Sequence, residues 1–124
     1  DRKVKVETEV DPGGLDVLAD RDLLEPVLIN LLRNAWQACR QTESPKIRLL
    51  GRLNRRGNVI IEVIDNGEGV PRELETRIFI PFYTTRPDGS GVGLALARQV
   101  MITHGGFIRV APADGGGARF TLIF

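Results

Sequence analysis

Residues 58–70 read NVIIEVIDNGEGV, which places a strand directly before a glycine-rich turn. The first eight residues are mostly apolar or β-branched, as is typical of a strand. Side chains alternate between the two faces of a strand, so Asp65 shares a face with the apolar residues Val59, Ile61 and Val63. Glu62 then marks the opposite face, which we expect to be the wetter one. The stretch therefore predicts a carboxylate on the core side of a sheet.

Asp65 is the first candidate for chemistry, because burying a carboxylate without hydrogen-bond donors is costly. The exocyclic amine of an adenine ring would supply such a donor. Gly67 and Gly69 would let the backbone turn and approach a flat ligand closely. The residues leave a second interpretation open, in which Asn66-Gly67 is only a tight turn.

The remaining elements follow from periodicity and turn residues. Asp20 is expected to cap a helix that continues to about Arg40, with Pro26 kinking or restarting it. Further strands are predicted over 4–10, 15–19, 46–53, 106–112 and 117–124, a short helix over 71–78, a loop over 81–91 and a helix over 92–104. This order predicts an α+β fold, a two-layer α/β sandwich with the helices on one face of a mixed, largely antiparallel sheet.

Composition excludes several classes of protein. With 17 basic and 16 acidic residues among 124, the chain has no basic excess for a general nucleic-acid surface, so no nucleic-acid partner is expected. Cys39 is the only cysteine, which excludes a disulfide framework and a cysteine-rich metal site. No apolar run is long enough to span a bilayer. We expect one compact domain over residues 1–124.

A polar stripe lies along the first predicted helix. Asn30 and Asn34 are four residues apart, so their amides stack on one face, and Gln37 continues the stripe. An amide oxygen is a neutral hard ligand that suits Mg²⁺, which takes most of its charge balance from substrate phosphates. A solvated polar face is the alternative.

The glycines of GSGVGL (89–94) precede the second predicted helix. A P-loop needs Lys-Ser/Thr after its last glycine, but Leu94-Ala95 stands there. A dinucleotide-binding fold needs the glycines directly after a buried strand, but here they follow a polar loop. What remains is a flexible loop whose N–H groups, with the helix N-terminus, can hold a phosphate chain. Further donors are expected from Thr84, Thr85, Arg86 and Ser90.

Together these sites resemble the catalytic, ATP-binding domain of sensor histidine kinases, whose superfamily includes DNA gyrase, the ninety-kilodalton heat-shock chaperone and MutL. The PFYTTR segment is most similar to kinases of nitrogen-regulation and dicarboxylate-sensing type. The matching motifs are an N box NLLRNAWQA (30–38), a G1 box DNGEGV (65–70), an F box FIPFYTT (79–85), a G2 box GSGVGLALA (89–97) and a weaker G3-like element GGGARFTL (115–122).

The resemblance implies a Bergerat-type fold, ATP and Mg²⁺ as cofactors, and an ATP lid over 83–91. Asn34 would be the Mg²⁺ ligand, with Asn30 near the phosphates. Asp65 would accept from the adenine amine, helped by Gly69 and, through water, by Thr121. Gln37 stands where many members have lysine, and Arg86 where this subgroup commonly has lysine. The other nucleotide contacts would come from Gln37, Gly67, Thr84, Thr85, Gly89, Ser90, Gly91, Val92, Gly93 and Leu94, with Arg86 neutralising charge during transfer.

Asn30 separates two activities of this superfamily. The ATPases of this superfamily have a glutamate four residues before the N-box asparagine, which is Asn34 here, and use it as general base. Asn30 stands at that position, and an asparagine cannot accept the proton of the attacking water. This favours transfer of the γ-phosphoryl group to a protein side chain, since phosphoryl transfer needs mainly positioning and charge neutralisation. The resemblance implies that the acceptor is a histidine on a dimerisation and phosphoacceptor domain. A serine kinase of the anti-sigma-factor type and a catalytically silent nucleotide-binding module are the alternatives.

The resemblance also sets expectations for the whole protein. The chain lacks a start methionine and an acceptor helix, so we expect a fragment of a longer kinase. Alone it would be monomeric and bind ATP without autophosphorylation. The full-length kinase would be a homodimer, with its own acceptor domain and a response-regulator receiver domain as partners. A cytoplasmic location is expected, within a soluble or membrane-anchored sensor.

Overall fold

The computed structural model describes residues 4–11, 13–14, 19–83 and 92–124. Within these ranges the chain forms five strands, two α-helices and two short 3-10 helices. The strands are β1 Lys5–Asp11, β2 Lys46–Leu53, β3 Val59–Asp65, β4 Phe107–Pro112 and β5 Ala118–Ile123. The helices are α1 Arg21–Ala38 and α2 Gly93–Thr103, and the 3-10 helices are Arg72–Leu74 and Arg77–Phe79. None of the helices in the described ranges has the length and apolarity needed to cross a membrane.

The strands form one mixed sheet in the order β1-β2-β3-β5-β4. β1 and β2 run parallel, and the other three pairs are antiparallel. α1 packs against β3, α2 packs against β4, and the two helices contact each other, so both lie on the same face of the sheet. The core between the layers includes Leu31, Met101, Phe120 and Leu122. The predicted two-layer sandwich with a largely antiparallel sheet is confirmed.

α1 begins as the sequence predicts. The Asp20 side chain caps it by accepting a hydrogen bond from the backbone N–H of Asp22 at 2.9 Å. Its buried face consists of Val27, Leu31, Ala35 and Ala38. A helix turns by about 100° per residue, so the residues just before these positions lie along the edge of the buried face. That edge carries the polar stripe of Asn30, Asn34 and Gln37.

The two helices are antiparallel and are joined at one end by His104. Its Nε2 accepts a hydrogen bond from the backbone N–H of Asp20 at 2.9 Å. Its Nδ1 lies 2.8 Å from the carbonyl oxygen of Val100. The pattern fits a neutral imidazole with the proton on Nδ1. His104 thus ties the C-terminus of α2 to the N-terminus of α1, which places the N-terminus of α2 beside the middle of α1.

Two of the predicted helices differ in the structure. α1 is a single element through Pro26, so the helix does not restart there, and the alternative of a kink stays a prediction. Pro26 lies in the second turn on the exposed side of α1, where the carbonyl oxygen that loses its N–H partner can be hydrated. The single helix predicted over 71–78 is wrong as well, because the segment forms the two 3-10 helices instead. Such short segments gain too few hydrogen bonds to propagate an α-helix.

Two further predictions lie partly outside the described residues. These are the strand over 15–19, of which only Ala19 is described, and the loop over 81–91, of which residues 84–91 are not.

The outer face of the sheet is drier than expected around Glu62, which is only 4% exposed. Arg52 Nε lies 3.0 Å from one carboxylate oxygen of Glu62, and Arg119 Nε lies 3.8 Å from the other. The long arginine side chains of neighbouring strands cover the carboxylate while they remain partly exposed themselves. Glu62 does face away from Asp65 as predicted, but the expectation that its surroundings are wet is wrong.

Candidate functional site

Asp65 ends β3 on the side of the sheet that faces the helices, and it is 2% exposed. Its Oδ1 accepts hydrogen bonds from the backbone N–H of Gly67 at 2.9 Å and of Ala118 at 3.3 Å. Hydrogen bonds from backbone N–H groups to a carboxylate are strong because the acceptor is charged. The Asp65 side chain is therefore held in one orientation by two separate segments of backbone.

Gly67 allows the segment after Asp65 to lie directly on the C-terminal end of α1. A Cβ at this position would overlap the carbonyl group of Ala38. The next residue, Glu68, donates its backbone N–H to that same carbonyl oxygen at 3.1 Å. The backbone at Gly67 therefore packs closely on α1, and its predicted approach to a flat ligand stays a prediction.

Gly117 and Gly69 allow a second close approach on the other side of Asp65. Gly117 has a φ of +94°, and a Cβ there would overlap the backbone carbonyl of Asp65. Gly69 has a φ of +74°, and its Cβ would lie 3.2 Å from the carbonyl oxygen of Gly117. Because glycine tolerates positive φ and has no side chain, the backbone at Gly69 and Gly117 can pack closely against the end of β3.

The other end of the site lies where α1 passes the start of α2. A Cβ on Gly93 would lie 3.5 Å from Cγ of Asn30, so the Asn30 amide is next to the first turn of α2. Val92, at the N-cap of α2, has no side-chain oxygen, and the first turn carries no acidic residue. An N-terminus of this kind is electrostatically suited to an anion.

The polar stripe of α1 connects these two ends. Asn30, Asn34 and Gln37 are all half-buried. From Asn30 to Ala38, on which Gly67 packs, the helix rises by roughly 12 Å at 1.5 Å per residue. The site is thus elongated, with a fixed carboxylate at one end, a helix N-terminus at the other and neutral amides between them.

Thr121 does not belong to this site, so its predicted water-mediated role beside Asp65 is wrong. It pairs with Glu62 across β3 and β5, and therefore points to the outer face of the sheet. Its hydroxyl donates a hydrogen bond of 3.4 Å to Oε2 of Glu62. Ala118, three residues earlier in β5, lies next to Asp65 instead.

The remaining predicted residues divide into two groups. Val92 and Leu94 are half-buried at the start of α2, together with Gly93. Outside the described residues lie Thr84, Thr85, Arg86, Gly89, Ser90 and Gly91. Their assignment to the lid and to phosphate binding stays a prediction.

Gly117, Ala118 and Asn66 were not predicted as site residues, although Ala118 bonds to the Asp65 carboxylate, Gly117 packs on the Asp65 backbone and Asn66 follows Asp65 in the chain. The sequence does carry a signal for Gly117 and Ala118, because three consecutive glycines at 115–117 stand directly before the last strand. All three of these glycines have positive φ. The asparagine was attributed to a turn, although its side chain bonds to a different segment of the chain.

The donors in this site suit a metal that arrives with its substrate. Among the residues with described positions, no group of three or more His, Cys, Asp or Glu side chains could hold a metal ion. Asn34 offers a neutral oxygen ligand, and Mg²⁺ characteristically combines one or two protein ligands with substrate phosphates and waters. The residues present therefore fit Mg²⁺ bound through a nucleotide rather than a dedicated metal cage.

The fold and site define a class: a two-layer domain with an elongated polar site between a helix layer and the end of a sheet, in which one end is electrostatically suited to an anionic group. Residues 19–124 match the family described as histidine kinase-, DNA gyrase B-, and HSP90-like ATPases. The chain belongs to this family, and the expected resemblance is confirmed.

Sequence relatives are sensor histidine kinases. The chain is 42% identical over 116 residues to the signal transduction histidine-protein kinase AtoS of Escherichia coli, covering 94% of this chain and 19% of that protein. It is 39% identical over 128 residues to the nitrogen regulation protein NtrY of Azorhizobium caulinodans, covering 97% of this chain and 16% of that protein. The chain thus spans less than a fifth of the length of these relatives.

Solved structures give the same result. The nucleotide-free catalytic domain of the histidine kinase ThkA superposes with a TM-score of 0.84 at 33% identity, over 98% of this chain and 79% of that one. Full-length ShkA in complex with AMPPNP superposes with a TM-score of 0.83 at 31% identity, over 97% of this chain and 25% of that one. The fold is that of a histidine kinase catalytic domain.

The packing of Gly67 on α1 can be tested by Gly67→Ala. We expect the free energy of unfolding to fall by about 1–3 kcal/mol, because the new methyl group must displace backbone rather than a flexible side chain. Urea unfolding followed by circular dichroism measures this change. Gly13→Ala is the matched control, since a Cβ at Gly13 meets nothing within 4 Å and Gly13 does not have positive φ. Equal stability of the two variants would contradict the close approach at Ala38.

Proposed function

We propose that this chain binds Mg-ATP and donates the γ-phosphoryl group to a histidine on a separate dimerisation and phosphoacceptor domain of a two-component sensor kinase. The observation that carries the proposal is the buried Asp65 carboxylate, fixed by two backbone N–H groups at one end of a stripe of amides. The relatives support the phosphoryl acceptor, because their names describe histidine kinases.

The Asp65 end of the site takes the adenine ring. Oδ1 is oriented by Gly67 and Ala118, which leaves the carboxylate pre-organised for a donor such as the exocyclic amine. Pre-organisation matters because the carboxylate loses little further freedom when the base binds. Guanine presents a carbonyl oxygen where adenine presents this amine, so the same carboxylate disfavours guanine nucleotides.

The α2 end of the site takes the phosphates. The N-terminus of α2 contributes a partial positive charge, and Asn30 lies against it. Asn34, one turn further along α1, would hold Mg²⁺ by its amide oxygen. Bound Mg²⁺ would neutralise charge on the phosphates. Within the proposal, the glycines at 89 and 91 and the side chains of Thr85 and Arg86 close the lid over them.

Asn30 favours transfer to a protein side chain over hydrolysis of ATP. Its amide lies at the phosphate end of the site, where a general base would have to activate water. An amide has no basic lone pair available at neutral pH, so it positions the phosphates without promoting attack by water. The nucleophile is then the histidine of the phosphoacceptor domain. A response-regulator receiver domain accepts the phosphoryl group from this phosphorylated histidine.

Asp65→Asn tests the adenine end. The asparagine keeps an oxygen that can accept from Gly67 and Ala118, but the charge is lost. We expect ADP affinity to fall roughly 10- to 100-fold, since a hydrogen bond to a charged group contributes about 1.5–3 kcal/mol. Isothermal titration measures the affinity. Asp114→Asn, on an exposed turn residue, is the control and should bind as the unmodified chain does. Unchanged affinity in Asp65→Asn would remove Asp65 from the site.

Asn34→Ala tests the Mg²⁺ assignment. The ratio of ATP affinities measured with Mg²⁺ and with EDTA should fall towards one, because the variant lacks the protein ligand to the ion. Gln99→Ala removes an exposed amide from α2 and should leave the ratio unchanged. A ratio in Asn34→Ala equal to that of the unmodified chain would exclude Asn34 as a ligand.

The chemistry of the phosphorylated product tests the transfer itself. The full-length sensor that contains this chain should incorporate radiolabelled phosphate in a linkage that is labile to acid and stable to base, as expected of phosphohistidine. The isolated chain should bind ATP and incorporate none. Acid-stable phosphate on a separate partner protein would instead support a serine kinase, and ATP binding without any transfer by the full-length protein would support a silent binding module.

A further inference from the structure

The side chain of Asn66 connects the residue after Asp65 to a distant segment of the chain. Its Oδ1 accepts a hydrogen bond from the backbone N–H of Lys46 at 2.8 Å. Its Nδ2 donates to the carbonyl oxygen of Ser44 at 2.9 Å. The thiol of Cys39 contacts the same Oδ1 at 3.7 Å. The amide oxygen and the amide nitrogen are both used, and their main partners lie 20 and 22 residues away in the sequence.

This pattern is not that of a turn asparagine. Asn54 shows the ordinary pattern, because its Oδ1 accepts from the backbone N–H groups of Arg56 and Asn58 within its own turn. Asn66 instead holds the connection between α1 and β2 against the end of β3. The Asn-Gly pair at 66–67 therefore has a function other than closing a hairpin.

The bonds of Asn66 bear on the orientation of the Asp65 carboxylate. The backbone between Asp65 and Gly67 is held by Lys46 and Ser44 on one side and by Ala38 on the other. Within that backbone, the N–H of Gly67 donates to Oδ1 of Asp65. If the backbone at position 66 can rotate, the N–H group of Gly67 moves with it. The Asp65 carboxylate then loses one of the two hydrogen bonds that orient it.

We infer that Asn66 is a positioning residue that sets the preference of this site for adenine by holding the Gly67 N–H against the Asp65 carboxylate. The inference rests on the proposed nucleotide-binding function and adds a residue to it that does not contact the ligand. An aspartate at this position would keep the bond from Lys46 but place a second oxygen against the carbonyl of Ser44. The amide is thus the group that satisfies both partners.

A comparison of two nucleotides distinguishes a positioning role of Asn66 from a role in stability alone. ADP carries the exocyclic amine, and purine riboside 5′-diphosphate lacks it and so makes no hydrogen bond to Asp65. The unmodified chain should bind ADP more tightly than the analogue. In Asn66→Ala this preference should fall about tenfold, roughly the contribution of one hydrogen bond to a charged group. Affinity for the analogue should stay the same.

Two further variants control the measurement. Asn66→Asp should also lower the preference for ADP over the analogue. If Asn66→Ala does not fold, the result with Asn66→Asp tests the role of Asn66. Asn54→Ala removes an asparagine that also accepts two backbone N–H groups, but at the opposite end of β3. It should lower the melting temperature while leaving the preference unchanged. In an Asp65→Asn background, Asn66→Ala should have no further effect on the preference.

The outcomes are distinguishable. If the unmodified chain shows no preference for ADP over the analogue, the adenine assignment fails, and the inference fails with it. If the preference exists and depends on Asp65 but persists in folded Asn66 variants, only the role of Asn66 is overturned. An equal loss of affinity for both nucleotides would also overturn it, because Asn66 would then be a structural clamp alone.

Discussion

The hydrogen bonds from two backbone N–H groups to the buried Asp65 carboxylate are the constraint on which the rest of the site depends. Burial of a charged group is tolerated only when donors converge on it, and here they come from Gly67 and from Ala118. To bring them there, the chain must pass close to α1 at Gly67 and close to β3 at Gly117. The glycines of the two motifs are therefore required for packing before any ligand binds.

The helix layer turns this local constraint into an elongated site. His104 joins α2 to the start of α1, so the two helices run antiparallel and the first turn of α2 meets Asn30. The amide stripe then spans the distance between the carboxylate and the α2 N-terminus. The buried side chains of α1 fix the direction of this stripe, because each polar residue immediately precedes a buried one.

Local patterns in the sequence predicted most of the elements and the burial of Asp65 on the core side at the end of β3. The alternation in β3 placed Asp65 and Glu62 on opposite faces, and Asp20 capped α1 as expected. Thr121 was assigned from the family resemblance alone, whereas the alternation in β5 puts Phe120 and Leu122 on the core face and Thr121 on the opposite face. The dry surroundings of Glu62 and the long-range bonds of Asn66 could not be predicted, because they come from strands and loops that meet only in the folded chain.

A crystal structure of this chain with ADP and Mg²⁺ is the decisive test of the proposed binding mode. The exocyclic nitrogen of adenine should lie about 3 Å from a carboxylate oxygen of Asp65, which is hydrogen-bonding distance. The phosphates should lie between Asn34 and the first turn of α2. A base bound elsewhere, or a reversed nucleotide with its phosphates at the Asp65 end, would contradict this binding mode.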